Sequence, residues 1–132
     1  MNVHKSIVPA ALLLLAALGL PRVAFAVQGY GFATISSILT TSQSQISPAT
    51  GLLYGGCMVN LSIQASQLTG APNCPNTWVT LGCDGTYTTQ SNAQMLLDQA
   101  QLAHALNKPI YLVVDDTMLI NTFCTAVRID VE

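Results

Sequence analysis

The sequence predicts a mostly β fold with one helix, in the order β-β-β-α-β-β. Two observations carry that prediction. The stretch Thr88–Val114 reads as one amphipathic helix, a tight stop and a buried strand, and the remaining runs look like strands and turns. Five strands with a helix between the third and fourth is the layout of an OB-fold, a five-stranded, partly open Greek-key barrel. A five-stranded α+β sheet of the same order, without closure, is the alternative. Alternating rather than fully apolar strands favour an antiparallel sheet in both.

The helix rests on agreeing signals. Ser91 with Gln94 fits a capping box, in which side chains satisfy the first free backbone N–H groups. Ala93, Leu96, Leu97, Ala100 and Ala103 recur at steps of three and four, which puts them on one face. Asn107 suits the left-handed residue that ends a helix, Lys108 suits the negative end of the dipole, and Pro109 forbids continuation. Ile110–Val114 is β-branched and aromatic, and too short for a second helix.

The strands follow in order. Tyr30–Leu39 alternates, with Tyr30, Phe32 and Thr34 set against Ala33 and Ile35. Residues 40–51 are rich in Ser, Thr, Gln and Pro and read as a loop. Leu52–Ile63 reads as the second strand, with a bulge at Gly55-Gly56. Residues 65–76 form a turn-rich connection around Pro72 and Pro75, and Trp78–Cys83 is the third strand. The fourth strand is Ile110–Val114, the fifth Cys124–Val131, and Asp115–Asn121 is the loop between them.

Cleavage and crosslinking set the compartment. His4 and Lys5 precede an apolar run, Ile7–Leu20, and Ala24-Phe25-Ala26 follows as a small-x-small site. Residues 1–26 therefore read as a signal peptide and 27–132 as a single domain, secreted or periplasmic. A membrane anchor is the rival, but the run is short for a span and contains Pro9. Removal of residues 1–26 leaves Lys108 and Arg128 against six acidic residues, a formal net charge of −4. So few cations argue against nucleic acid and anionic membranes, which are bound chiefly through Lys and Arg.

Four cysteines behind a signal peptide imply two disulfides. Three connectivities are possible, and strand parity chooses among them. Cys57 shares a face with Val59, Leu61 and Ile63; Cys83 shares one with Val79 and Leu81. Cys124 alternates out of register with Phe123, Val127, Ile129 and Val131, and Cys74 stands in a loop. The expected pairs are Cys57–Cys83 inside and Cys74–Cys124 at the periphery, each worth about 3–4 kcal/mol in the chain-entropy account. No metal site is expected, because His104 is the one histidine after residue 26 and no CxxC occurs. No cofactor is expected either.

Candidates for chemistry are few. Asp115-Asp116 could bind a cation or act as acid and base, but adjacent acids at a strand end more often form a solvated turn. His104 has no nucleophile placed beside it by any motif, and reads as an exposed residue near the helix C-terminus. Asn60-Leu61-Ser62 matches a glycosylation sequon inside a strand. Trp78, Tyr30, Tyr54 and Tyr87 could stack on a sugar ring, against the plainer reading of sheet packing. No enzyme is expected.

At Cys57, Cys83 and Leu96-Leu97-Asp98-Gln99-Ala100-Gln101 the chain resembles the B subunits of pertussis-like AB5 toxins, of the subtilase cytotoxin and typhoid toxin type. Their small secreted OB-folds carry one Cys in the second strand and one in the third, then a helix that begins much like Leu96-Leu97-Asp98-Gln99-Ala100. The resemblance implies the pair Cys57–Cys83, a ring of five copies, a pore-lining helix and a glycan bound on the outer face. The serine those subunits use for sugar would fall in the first strand, where Ser36 and Ser37 stand. The chain departs from the pattern at Val27-Gln28-Gly29-Tyr30, which lacks a Trp-containing lead, and at Cys74 and Cys124. It also looks like short exported bacterial proteins of the same layout.

The expectation is thus an exported binding module for a host or cell-surface glycan, with Tyr30, Ser36 and Trp78 as ligand residues and a homo-pentamer as its assembly. The alternative is a small secreted or periplasmic accessory or inhibitor protein that acts through a protein partner.

Overall fold

The structure, a computed structural model, describes residues 27–42, 44–70 and 72–132. The predicted signal peptide lies outside them. Six strands and one α-helix are described, besides a short 3-10 turn at Ala65–Gln67: β1 (Gln28–Ala33), β2 (Ile35–Thr40), β3 (Cys57–Leu61), β4 (Trp78–Thr80), α1 (Gln90–Leu106), β5 (Ile110–Ile120) and β6 (Phe123–Val131). The mostly β content with one helix agrees with the sequence reading. The strands form one open, mixed sheet in the order β1-β5-β6-β4-β3-β2, not the five-stranded barrel expected. Every pairing is antiparallel except β4 with β6, which is parallel at Thr80 and Thr125.

The sixth strand arises because the expected strand Tyr30–Leu39 divides at Thr34. β1 pairs with β5, from Gln28 opposite Asp115 to Ala33 opposite Ile110. β2 pairs with β3, from Ile35 opposite Leu61 to Thr40 opposite Cys57. The two edges of the sheet are therefore consecutive in the chain, with Thr34 alone between them. Ser62 holds that corner: its hydroxyl accepts from the Thr34 N–H at 3.2 Å, and its own N–H donates to the Thr34 carbonyl at 2.9 Å.

Two other strands are shorter than predicted. Leu52–Ile63 contracts to Cys57–Leu61 because Gly55 and Gly56 have φ of 77° and 82°, which break the strand instead of bulging it. A side chain at Gly55 would also stand 2.9 Å from Thr80 Oγ1. The third strand stops at Thr80, and Leu81 leaves the ladder while still donating to the Cys57 carbonyl at 3.1 Å.

The fourth strand is longer than predicted. β5 runs on through Asp115 and Asp116 to Ile120, and the turn is only Asn121-Thr122, both at positive φ (51° and 69°), as a two-residue hairpin with right-handed twist requires. Residues 116–118 bulge out between Asp115, opposite Thr125, and Leu119, opposite Cys124.

Helix α1 begins earlier than predicted. Thr89, not Ser91, is the N-cap, and its hydroxyl accepts from the Asn92 N–H at 3.2 Å. Asn107 ends the helix in the left-handed region (φ 52°, ψ 40°), and Lys108 N–H donates back to the Ala103 carbonyl at 2.9 Å. Ala93, Leu97, Ala100 and Ala103 are buried, and Leu96 is partly so. Three alanines on that face let the helix lie close against β6 and β2.

Inside, Val59, Leu61, Val79, Leu81, Ile110, Leu112, Val114 and Ile129 meet that helical face. The disulfides are Cys57–Cys83 and Cys74–Cys124, with Cα separations of 5.5 and 5.9 Å. The pairing agrees with the sequence reading, but the second bridge is not peripheral: Cys74 and Cys124 are 3% and 2% exposed. A register shift sets Val113 opposite Arg128 and Val114 opposite Ala126, so Val127 is the extra residue and turns outward. The shift reverses the parity, and Cys124 joins Ala126 and Ile129 inside. No helix among the described residues is long and apolar enough to cross a membrane.

Candidate functional site

Period-two alternation decides what the long strands show to solvent. In β1, Gly29 and Ala33 face in, whereas Tyr30 and Phe32 are 45% and 61% exposed. In β5, Leu112 and Val114 are buried while Tyr111 and Val113 stand on the other face, and in β6 Arg128 and Asp130 flank the buried Ile129. The register then aligns these residues in two rows across three strands. One row is Phe32, Tyr111 and Asp130; the other is Tyr30, Val113 and Arg128.

Within that face the side chains touch. The Phe32 and Tyr111 rings meet edge to face, with centroids 5.4 Å apart at 72°. The Arg128 guanidinium lies 5.6 Å from the Tyr111 ring centroid and forms an ion pair with Asp130. The hydrogen bond that Arg128 donates to Asp130 pushes its pKa still further up, so the cation persists at any physiological pH. The result is a shallow surface with apolar ring faces beside a fixed donor fork and a carboxylate. It suits a neutral polar ligand with an apolar side, of which a sugar ring is one.

Of the three predicted ligand residues, only Tyr30 stands on this face. Ser36 is exposed on β2, where its hydroxyl donates to the Asn60 carbonyl at 3.0 Å. Trp78 is half-buried on β4 opposite that same Asn60. The Asn60 side chain is itself half-buried, and its Oδ1 has no hydrogen-bond partner among the described residues. Tyr87 donates its hydroxyl to the Leu119 carbonyl at 3.0 Å, and Tyr54 is half-buried in the loop before β3.

The candidate acid and base residues are occupied in structural contacts. Asp115 is 2% exposed and not a solvated turn residue. Burial raises its pKa, but the Thr117 hydroxyl (2.6 Å) and N–H (2.8 Å), with the Gln28 amide and the Met118 N–H, outweigh burial and hold the carboxyl below its ordinary value. Asp116 accepts from the Asn73 N–H at 3.1 Å and from the Val27 nitrogen at 3.0 Å. His104 Nδ1 lies 2.9 Å from the Ile35 carbonyl, so that nitrogen carries the proton and donates. No cluster of three or more His, Cys, Asp or Glu side chains among the described residues is placed to hold a metal.

A second concavity, about 370 Å³, opens between the start of α1 and the β5–β6 hairpin, lined by Tyr87, Met95, Leu96, Met118 and Val127 among others. No family model, curated protein or solved structure matches the chain.

Sequence reasoning missed Phe32, Tyr111, Arg128 and Asp130 as members of one face. The alternation that turns each outward is visible in the sequence. The pairing that gathers them is not, because β1 and β5 are some eighty residues apart.

Proposed function

We propose that the chain is an exported, non-enzymatic binding module whose outer β1-β5-β6 face takes a glycan. The observation that carries this reading is the exposed Phe32–Tyr111 pair beside the Arg128–Asp130 ion pair, on a domain with few other charges. Sugar recognition draws on an apolar ring face to stack against and fixed polar groups at its rim, and both are adjacent here. The structural use of Asp115 and His104 supports binding over catalysis. Two disulfides fit an oxidising compartment, and with the signal-peptide motif they support export.

The strand order also supports the OB-type reading. β1 and β2, joined through Thr34, would act as one bent strand that pairs at both ends of the sheet. The helix between the third and fourth strands of that count, and the parallel β4–β6 contact, fit the same plan. The AB5-like B-subunit reading and its five-fold assembly rest on that plan and on Cys57–Cys83.

Screening the oxidised chain 27–132 on a glycan array, then titrating any hit by calorimetry, tests the proposal. Phe32→Ala and Tyr111→Ala should each weaken binding at least tenfold, while Ser36→Ala leaves it within twofold. Unchanged affinity in both aromatic variants would sink the site. The apolar cleft beside Met95 and Leu96 favours the second reading, an accessory or inhibitor protein acting by protein contact. A co-purifying protein released by Met95→Lys, with no glycan hit, would replace the first reading by the second.

A further inference from the structure

We infer that the Ala26–Val27 peptide bond is a processing site and that the α-ammonium freed there becomes a structural cation, paired with Asp116. The inference rests on the export reading and adds to it a role for the new terminus.

Val27 immediately precedes β1, and its nitrogen lies 3.0 Å from Asp116 Oδ1. The contact is two-sided, since the Asp116 N–H donates to the Val27 carbonyl at 3.3 Å. The opposite loop fixes the other carboxylate oxygen, with Asn73 N–H on Oδ2 at 3.1 Å. Asp116 is thus held by three hydrogen bonds, two with Val27 and one from Asn73, with Oδ1 aimed at the atom that cleavage after Ala24-Phe25-Ala26 would release.

The charges around it point the same way. Asp115 and Asp116 are adjacent on β5, and their hydrogen-bond partners from side chain and backbone are Thr117, Met118, Gln28, Asn73 and Val27, all uncharged in the uncleaved chain. The two cations of residues 27–132 stand elsewhere. Arg128 pairs with Asp130, and Lys108 follows the far end of α1. A cation at Val27 supplies what this acidic corner lacks.

The step balances with water alone, under a leader-processing peptidase. Hydroxide adds to the Ala26 carbonyl carbon, the C–N bond breaks, and Ala26 leaves as a carboxylate. Val27 nitrogen takes both protons of that water, the hydroxide's own by way of solvent as the carboxylate forms. One amide hydrogen becomes three ammonium hydrogens, and 3.0 Å already suits an ion pair, so no rearrangement is needed.

The charged group that faces the ammonium is Asp116; Asp115, next to it on the strand, is buried and turned to Thr117 and Gln28, and the loop at Asn73 contributes a backbone N–H. An amine so placed has its folded pKa raised above the ordinary 7.7–8.0 or so. Its stabilisation is then complete below the unfolded value and lost as pH rises through the folded one.

The test begins with the full chain exported by a bacterial host, and N-terminal sequencing of the product should read Val27-Gln28-Gly29. The α-amine is then titrated by NMR in that product and in Asp116→Asn. We expect a raised pKa that returns to the ordinary range in the variant. Acetylation of the Val27 nitrogen should lower the folding constant at pH 7 on the order of 2- to 5-fold, with no loss at pH 10, and needs no substitution that could impair folding. A different first residue overturns the processing site and the export reading with it. Val27 first, with an ordinary amine pKa and no effect of acetylation, overturns the ion pair and leaves export standing.

Discussion

Strands β1, β5 and β6 have six, eleven and nine residues and pair along most of their length, whereas β2, β3 and β4 have six, five and three. The long-stranded half leaves its outer face open and sets aromatic and charged side chains there. On the short-stranded half, Met58 and Thr80 are buried together with the inward residues, and Cys57–Cys83 ties β3 to the chain just beyond β4. A long ladder supplies enough backbone pairing and core contact to release one face for a ligand. Strands of five and three residues, as in β3 and β4, do not, and a crosslink takes up the difference.

Removing the crosslinks is the strongest way to break this contrast. The two bridges span sequence separations of 26 and 50, which in the loop-entropy account correspond to about 3.5 and about 4 kcal/mol. Urea unfolding of Cys57→Ala/Cys83→Ala and of Cys74→Ala/Cys124→Ala should show losses of that size. A loss below about 1 kcal/mol for the first pair would mean that the short half does not depend on its bridge. Next comes the core under the long half. Leu112 is fully buried near the start of β5, and Leu112→Ala should cost about 3 kcal/mol by the same assay. A cost under about 1 kcal/mol would show that the ladder holds without its inward side chains.

Smaller effects sharpen the picture. Asp115→Asn should cost about 1–2 kcal/mol at pH 7, since it replaces charge-assisted bonds from Thr117 and Gln28. The folded pKa of Asp115 is depressed, so its contribution is present above the ordinary 3.8 and disappears as pH falls through the lower folded value. The variant should therefore lose less stability than the parent between neutral pH and the acid range, a difference that thermal melts at stepped pH would read. Thr89→Ala should cost about 1 kcal/mol through the lost cap, and because α1 touches both β6 and β2 it should shift a single transition. Two separate transitions would show that the halves of the sheet unfold independently.

The parts of the fold that local chemistry dictates were legible in the sequence. Asn107 and Pro109 mark the helix end, and alanines and leucines at steps of three and four mark its buried face. The start was displaced by two residues because Thr89 and Ser91 both suit an N-cap, and only the chain path decides which hydroxyl meets a free N–H. The acidic pair at 115–116 imitated a turn. In the structure Asp115 stays in the strand because residues 116–118 bulge and Thr117 folds back onto its carboxylate, a contact that no local pattern announces. Strand alternation predicts the partner of Cys124 but not its orientation, since the bulge at Val127 reverses the alternation and turns Cys124 inward. Of the candidate face, Tyr30 was legible as an outward aromatic. Its partners Phe32, Tyr111, Arg128 and Asp130 depend on the β1–β5–β6 register, which is tertiary information.

The single residue between β1 and β2 also constrains the order of events in folding. Gln28 finds its partner at Asp115, so the first strand of the sheet cannot pair until almost the whole chain is present, whereas β2 needs only residues up to Leu61. Synthesis or transport with the N-terminus first would let β2, β3 and β4 assemble while β1 waits. Such non-local closure slows folding, because a long loop must be ordered before the contact rewards it. Refolding of the oxidised chain should therefore have a late phase reported by Phe32 and Tyr111. Reversing the sequence order of β1 and β2 relative to the rest, by circular permutation at Thr34, should shorten that phase.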